Sequence, residues 1–274
     1  MKEIVDDHQL VYFRERKMTE TPKSREPKFE PARADILPVF SIPFLRGILD
    51  IDTELVTESA RELISIISER NVGNTSRDYT TYFDEDIRTA MHEFEWYKEF
   101  SDRIKDTYIS FISGTFEEPV DHLNRNDIHL FSWISRYEGH HQHEIHNHVH
   151  SHISGTWYIK TSPSTMPIRF YSPNIMSNFS HNAPDHPQSR EDMPNIEFTG
   201  VAGVDSEMFV HPMDGEFLMW PSYIMHSVPP NYEETDDKYE RISLSFNLKH
   251  RDIIDNNETG QDMSYGFFND TDQR

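Results

Sequence analysis

The sequence predicts a mainly β protein, a barrel or sandwich covered by helices that come first in the chain. Three observations lead there. Two early segments repeat apolar residues at helical spacing. After Pro119 the apolar residues fall instead into short alternating runs, separated by Gly, Pro, Asn, Asp and Ser, which is the punctuation of short strands. And 274 residues with 18 Phe and 12 Tyr supply material for one substantial core.

Residues 1–34 are polar and charged, with no periodicity through Thr21-Pro22-Lys23-Ser24-Arg25-Glu26-Pro27. They read as an extended arm. A short first strand is expected at Ile36 to Ile42, interrupted by Pro38. Thr53 to Arg70 reads as a helix, with Leu55, Ala60, Leu63, Ile64 and Ile67 on one side. Thr53 is the expected N-cap, and Glu54 suits the positive end of the helix dipole. A second helix is expected from Glu85 to Ser113, where Met91, Phe94, Tyr97, Phe100, Ile104, Tyr108 and Phe111 keep helical spacing. Such a stripe belongs to a core, and two amphipathic helices in a row can cover one sheet face.

Strands are then expected at Ile128–Tyr137, Gly155–Lys160, Ile168–Tyr171, Ile196–Thr199, Met208–Val210, Gly215–Pro221, Ile224–Val228 and Glu240–Leu248. Residues 174–194, rich in Asn, Ser and His and holding three prolines, read as a long irregular insertion of the kind that forms lids or binding loops. The organisation is thus an arm (1–34), a barrel domain with its helical cover (35–251) and an acidic tail (252–274) in which Phe267-Phe268 can dock.

Composition narrows the function. A formal charge of −22 repels phosphate backbones and anionic lipid, which disfavours nucleic-acid and membrane binding. The absence of cysteine removes disulfides, thiolate metal sites and Cys nucleophiles, so any metal must be held by nitrogen and oxygen. The first residues carry acids and no apolar run, and no window approaches a membrane span. The reading is a cytoplasmic protein, which includes a phage-encoded one in its host's cytoplasm.

The chemistry gathers in one tract. Seven of the 16 histidines lie between His140 and His152. His146, His148, His150 and His152 alternate with other residues, so an extended chain turns them to one side. Neutral imidazole is the commonest metal ligand. His140, His141 and His143 read as exposed loop residues, and His150 and His152 as side chains behind the ligands or merely solvated. Two later patches matter. His226 interrupts the apolar run Ile224-Met225-His226-Ser227-Val228. In Arg241-Ile242-Ser243-Leu244-Ser245-Phe246-Asn247 one face is apolar, and the other carries a guanidinium and hydroxyls. Arg is a planar fork suited to a carboxylate.

Together these patches resemble the iron(II)/2-oxoglutarate-dependent oxygenases, and within them the oxygenases common in phages and marine bacteria. The likeness is carried by His146-Asn147-His148, Ser151-His152-Ile153-Ser154-Gly155-Thr156-Trp157-Tyr158-Ile159, Gly215-Glu216-Phe217-Leu218-Met219-Trp220-Pro221, His226 and Arg241-Ile242-Ser243-Leu244-Ser245-Phe246-Asn247. It spans about residues 125–250. The resemblance implies a double-stranded β-helix, the jelly-roll or cupin-like barrel. It implies Fe(II) held by His146, His148 and His226. It implies 2-oxoglutarate held through its distal carboxylate by Arg241 and Ser243, with Tyr158 adding a hydroxyl. The activity implied is hydroxylation of a small molecule or protein side chain by O2, with 2-oxoglutarate decarboxylated to succinate.

Most members of that superfamily supply two histidines and one carboxylate. Here the second position is His148, and Glu144 is the only acid nearby. Either three histidines serve, or a carboxylate arrives from elsewhere. His148 and His150 form an alternative pair in the same register. A cupin-like three-histidine enzyme that does not use 2-oxoglutarate also fits the histidines, though it gives Arg241 no task. So does a non-catalytic binding barrel. The sequence sets neither the substrate nor the oligomeric state.

Overall fold

The structure is a computed structural model and describes residues 42–70, 79–116, 124–138, 141–149, 151–162, 164–173, 188–190, 193–201, 204–230 and 239–250. The expected arm and acidic tail lie outside the described residues, as does most of the strand expected at 36–42. The first strand found is β1, Leu45–Ile48, which starts just beyond Pro43.

Helix α1 spans Thr53–Arg70, as the periodicity predicts. Its cap is Asp52 rather than Thr53: the Asp52 carboxylate accepts from the backbone N–H groups of Glu54 and Leu55, which have no partner inside the helix. Val56, Ala60, Leu63, Ile64 and Ile67 form its buried face, while Leu55 is half exposed. The buried stripe therefore begins one residue later than expected.

The second expected helix is broken. α2 spans Glu85–Ala90, a 3₁₀ turn follows at Met91–Glu93, and α3 spans Glu95–Phe116. Phe94 between them is extended (φ −74°, ψ 137°). The apolar stripe runs through the break, with Met91, Tyr97, Phe100, Ile104 and Tyr108 all buried. Spacing alone could not show the interruption.

The strands after β2 (Tyr79–Thr80) are β3 (Ile128–Tyr137), β4 (His143–His146), β5 (Ile153–Lys160), β6 (Ile168–Tyr171), β7 (Gln188–Arg190), β8 (Met193–Val201), β9 (Val204–Val210), β10 (Glu216–Pro221), β11 (His226–Val228) and β12 (Arg241–His250). They form two six-stranded sheets, ordered β1-β10-β5-β12-β3-β2 and β4-β11-β6-β9-β8-β7. Every recorded pairing is antiparallel. Take β3, β4, β5, β6, β9, β10, β11 and β12 as eight core strands in chain order. The first, third, sixth and eighth then share one sheet, and the second, fourth, fifth and seventh share the other. That shuttling is the jelly-roll, or double-stranded β-helix, topology. The segment expected to be irregular at 174–194 contributes β7 and the start of β8, which extend one sheet beyond β9. Its remainder lies outside the described residues.

Two cores divide the side chains of each central strand. Ile242, Leu244, Phe246 and Leu248 pack with Trp157, Met219 and the buried faces of α1 and α3. Phe100 of α3 lies 5.6 Å from both Trp157 and Phe246, ring centre to ring centre. Between the sheets lie Tyr137, Tyr158, Phe170, Leu218, Trp220 and Val228. The apolar face of β12 is therefore the outer, helix-covered one. Its polar face, Arg241, Ser243, Ser245 and Asn247, points into the barrel. Gly155 lets β5 pass close to its neighbours: a Cβ there would stand 2.3 Å from the Phe246 ring and 2.5 Å from the Leu218 carbonyl oxygen. No helix among the described residues is long and apolar enough to cross a membrane.

Candidate metal centre and anion pocket

Three of the predicted histidines meet at one mouth of the barrel. His146 ends β4 and lies opposite His226, the first residue of β11. His148, two residues past β4, is pinned by its backbone N–H to the Ser222 carbonyl at 3.0 Å. One ring nitrogen from each of His146, His148 and His226 lies within 4.8 Å of the others. No carboxylate joins this group among the described residues, and Glu144 is exposed.

The second nitrogens fix the tautomers. His146 Nδ1 bonds the Glu144 carbonyl at 2.7 Å, and His226 Nδ1 bonds the Ile224 carbonyl at 3.0 Å. His148 Nδ1 bonds Asn247 Oδ1 at 2.6 Å. Each partner is an acceptor, so each Nδ1 carries the proton and donates. Each Nε2 is left with a lone pair, and those of His146 and His148 face each other at 3.3 Å. A cation about 2.1 Å from each nitrogen would hold two neighbouring nitrogens roughly 3.0–3.4 Å apart. The spacing and the tautomers both fit a metal ion. Burial pushes His148 down to about 4, an effect that outweighs its bond to Asn247. Burial, with His146 and His148 alongside, holds His226 well below its ordinary value. Both stay neutral, as ligands must be.

Behind His148 runs a chain of hydroxyls. Asn247 Oδ1 also accepts from Ser154 Oγ at 2.7 Å. Ser154 Oγ bonds Ser222 Oγ at 2.7 Å, and Ser151 donates to Ser222 at 2.9 Å. Such partners orient a ligand ring. Sequence reasoning missed Asn247. The signal was there, because Asn247 continues the polar alternation of Arg241, Ser243 and Ser245. It also misjudged His143 and His141. His143 stacks on His146 at 4.1 Å and bonds the Tyr137 hydroxyl at 3.2 Å. His141 is buried, its Nδ1 accepting from the Glu138 N–H. Neither is the exposed loop residue expected. His140 and His150 lie outside the described residues. His152 is not in the triad; its backbone bonds Leu248 and Ser222.

Deeper in the barrel, a cavity of about 30 Å³ has His146, His148 and His226 at one end and Arg241 in its lining, with Thr156 and Ser245. Arg241 is buried, and its guanidinium lies between the rings of Tyr137 (4.8 Å) and Tyr158 (5.0 Å). Its Nε and Nη1 have no hydrogen-bond partner, nor do the Tyr158 hydroxyl and Thr156 Oγ1. Burial pushes Tyr158 up to about 12, so the phenol keeps its proton and can donate. Buried donors are nearly always paired. A cation, a phenol and a hydroxyl left over in one region are the complement of a carboxylate. Ser243 is buried on the same strand face, opposite Tyr158, while Ser245 is the serine that lines the cavity.

Fold and site together give a jelly-roll protein with three imidazoles gathered at one mouth and a buried, unpartnered guanidinium beside them. Residues 131–247 match the family described as "Putative 2OG-Fe(II) oxygenase", a segment that runs from β3 to β12 and includes every residue of the triad and Arg241. By that match the segment resembles the iron(II)/2-oxoglutarate-dependent oxygenases, whose metal and co-substrate are Fe(II) and 2-oxoglutarate. Comparison with curated proteins finds no match. Among solved structures, a Pseudomonas putida prolyl-4-hydroxylase is similar over 77% of this chain and 94% of its own, at 14% identity and a TM-score of 0.47. The α-ketoglutarate-dependent epimerase SnoN from nogalamycin biosynthesis is similar over 76% and 78%, at 11% identity and 0.46. HygX from Streptomyces hygroscopicus, with nickel and 2-oxoglutarate bound, is similar over 76% and 83%, at 14% identity and 0.42.

Proposed function

We propose that this chain is an iron(II)/2-oxoglutarate-dependent hydroxylase. The observation that carries the reading is Arg241: a buried guanidinium with two unpartnered N–H edges, in the cavity onto which the three imidazoles open. A three-histidine enzyme without an acid co-substrate leaves that cation with nothing to hold.

In this reading His146, His148 and His226 bind the metal through Nε2, each ring fixed by its Nδ1–H. Arg241 receives the distal carboxylate of 2-oxoglutarate, and the Tyr158 hydroxyl donates to the same group. Ser243 stands on the same face two residues along. Ile168, Trp220 and Val228 give the cavity an apolar wall, and low polarity beside a charge pair strengthens it. Bound Fe(II) with 2-oxoglutarate supplies the oxidising power: O2 gives one oxygen atom to a substrate C–H and one to succinate, with loss of carbon dioxide.

Anaerobic addition of Fe(II) and 2-oxoglutarate to the full chain should give a weak visible charge-transfer band that Arg241→Ala abolishes at the same co-substrate concentration. Folded protein that shows no band, and forms no succinate in air, would sink the reading.

A further inference from the structure

A second cleft, of about 200 Å³, opens on the solvent side of the histidines. One wall is an aromatic file. Tyr82 meets Phe83 edge-on at 4.9 Å and Trp133 at 5.1 Å, and Trp133 lies 5.6 Å from the His148 ring. The file is held rigidly. Thr81 exchanges two hydrogen bonds with the Ile134 backbone, both at 2.9 Å. Arg88 donates to the Tyr82 carbonyl at 2.7 Å, and Asp84 caps α2 through the Ile87 N–H. Phe83 is nevertheless 78% exposed, and Val149, also in the lining, is 58% exposed. A fixed aromatic edge left in water beside a metal centre is placed for contact with something else.

The lining also says what that something is not. It contains no Lys, Arg, Asp or Glu among the described residues, in a chain whose charged fraction is 27%. In the metal-free protein a charged group entering the cleft would lose water and meet no side chain of opposite charge; with an ion on the histidines only a carboxylate that reached the metal itself would gain one. Most of the cleft's polar side chains are engaged with one another or with the barrel: Thr80 accepts from the Tyr82 N–H, His143 bonds the Tyr137 hydroxyl, His146 bonds the Glu144 carbonyl, and Asn247 holds His148 and Ser154; the Asn147 side chain is exposed. Whole-ligand pockets commonly enclose about 300–1,000 Å³, so this one is sized for a single group.

We propose that the cleft is the primary-substrate subsite and takes an uncharged, carbon-rich group of side-chain size, held against Tyr82, Phe83 and Trp133, with any charge on the substrate left outside the mouth. This rests on the oxygenase reading for the word substrate, but the binding preference stands on the lining alone.

Three ring probes of similar shape test it on the metal-free full chain at pH 7, so that no bound cation answers the carboxylate: cyclohexanecarboxamide, cyclohexanecarboxylate and cyclohexylmethylammonium. Ligand-detected NMR should give the amide a Kd at least tenfold below either charged probe. Phe83→Ser and Val149→Ser, both at exposed positions, should each weaken the amide several-fold with the circular dichroism spectrum unchanged. A charged probe that binds as tightly, an amide that does not bind, or an amide indifferent to both substitutions overturns the proposal. The anaerobic Fe(II)/2-oxoglutarate band separates the two readings. A normal band without amide binding overturns this inference alone. Amide binding without a band supports the cleft and overturns the oxygenase reading.

Discussion

Arg241→Met should leave the ligand-free protein about as stable as the parent and nearly abolish its affinity for 2-oxoglutarate. The guanidinium is 2% exposed and has two unpartnered N–H edges. Replacing buried charge with an apolar side chain of similar volume is commonly neutral or stabilising by about 1–4 kcal/mol. The loss of two desolvated ring contacts, with Tyr137 and Tyr158, each worth about 2 kcal/mol, is made up in part by sulfur–aromatic contacts of the Met side chain, about 0.3–1.5 kcal/mol each. The terms nearly balance, so the Tm of the ligand-free protein should stay within about 4 °C of the parent. Against this, two charge-assisted hydrogen bonds to a carboxylate are worth about 1.5–3 kcal/mol each. Their loss weakens 2-oxoglutarate by about 10²–10⁴-fold. Differential scanning calorimetry of the metal-free protein gives the first quantity, and anaerobic titration of the visible band the second. A variant that melts earlier and still binds 2-oxoglutarate like the parent would show that Arg241 is a structural residue, and the argument from its unpartnered edges would fail.

Asn247→Ala removes the acceptor for His148 Nδ1–H and should weaken metal binding about 10–100-fold in competition with a chelator; Asn247→Asp, which keeps an acceptor there, should restore it. The metal-free protein should lose stability as pH falls. His148 (about 4) and His226 are depressed below the ordinary 6.5, so below pH 6.5 the unfolded chain binds protons that the native state refuses. Their contribution is therefore complete above pH 6.5 and declines toward pH 4, each histidine adding up to about 1.4 kcal/mol per pH unit to the slope, measurable by urea melts across that range. Gly155→Ala should cost at least about 2 kcal/mol by the same melts, because the Leu218 backbone cannot retreat from the added methyl group.

The sequence revealed most where burial imposes a period. α1 and β3 end where the apolar pattern ends, since one face of each must meet the core. It revealed least where pattern and backbone part company. The aromatic stripe through 91–111 crosses the extended Phe94 without a gap, because turns on both sides keep their faces on one core. The polar run before Ile196 hid β7 and the start of β8, which lie beyond β9 at one end of a sheet and need no apolar alternation. Within the site, His146, His148, His226 and Arg241 stood out in the sequence only in combination and through the family resemblance; the structure brings the three imidazoles together and puts Arg241 in the lining of the cavity beside them. Residue type did not single out Asn247 or His143, whose place is a matter of which ring they touch. The choice of His148 for the second position drew on the family's spacing; the structure adds the Ser222 carbonyl that holds its backbone.

The charges around the barrel explain how an acid co-substrate suits so acidic a chain. Glu216, buried, pairs with Arg46, and Glu207 pairs with Arg169. Glu240, the neighbour of Arg241, is turned to Arg61 and Arg136, and these two arginines, working against burial, hold its carboxyl below the usual range. Each of these acids is answered by a different arginine, and none is spent on Arg241. The three Nδ1–H groups likewise end on neutral oxygens, two backbone carbonyls and one amide. Neither the triad nor the atoms fixing it carry negative charge, although the chain's formal charge is −22. Surface charges more than about 10 Å away are screened by salt, whereas buried ones are not. A dicarboxylate approaching the cavity therefore meets a field set by Arg241 and by whatever cation the imidazoles hold, so the sign of the surface does not exclude it.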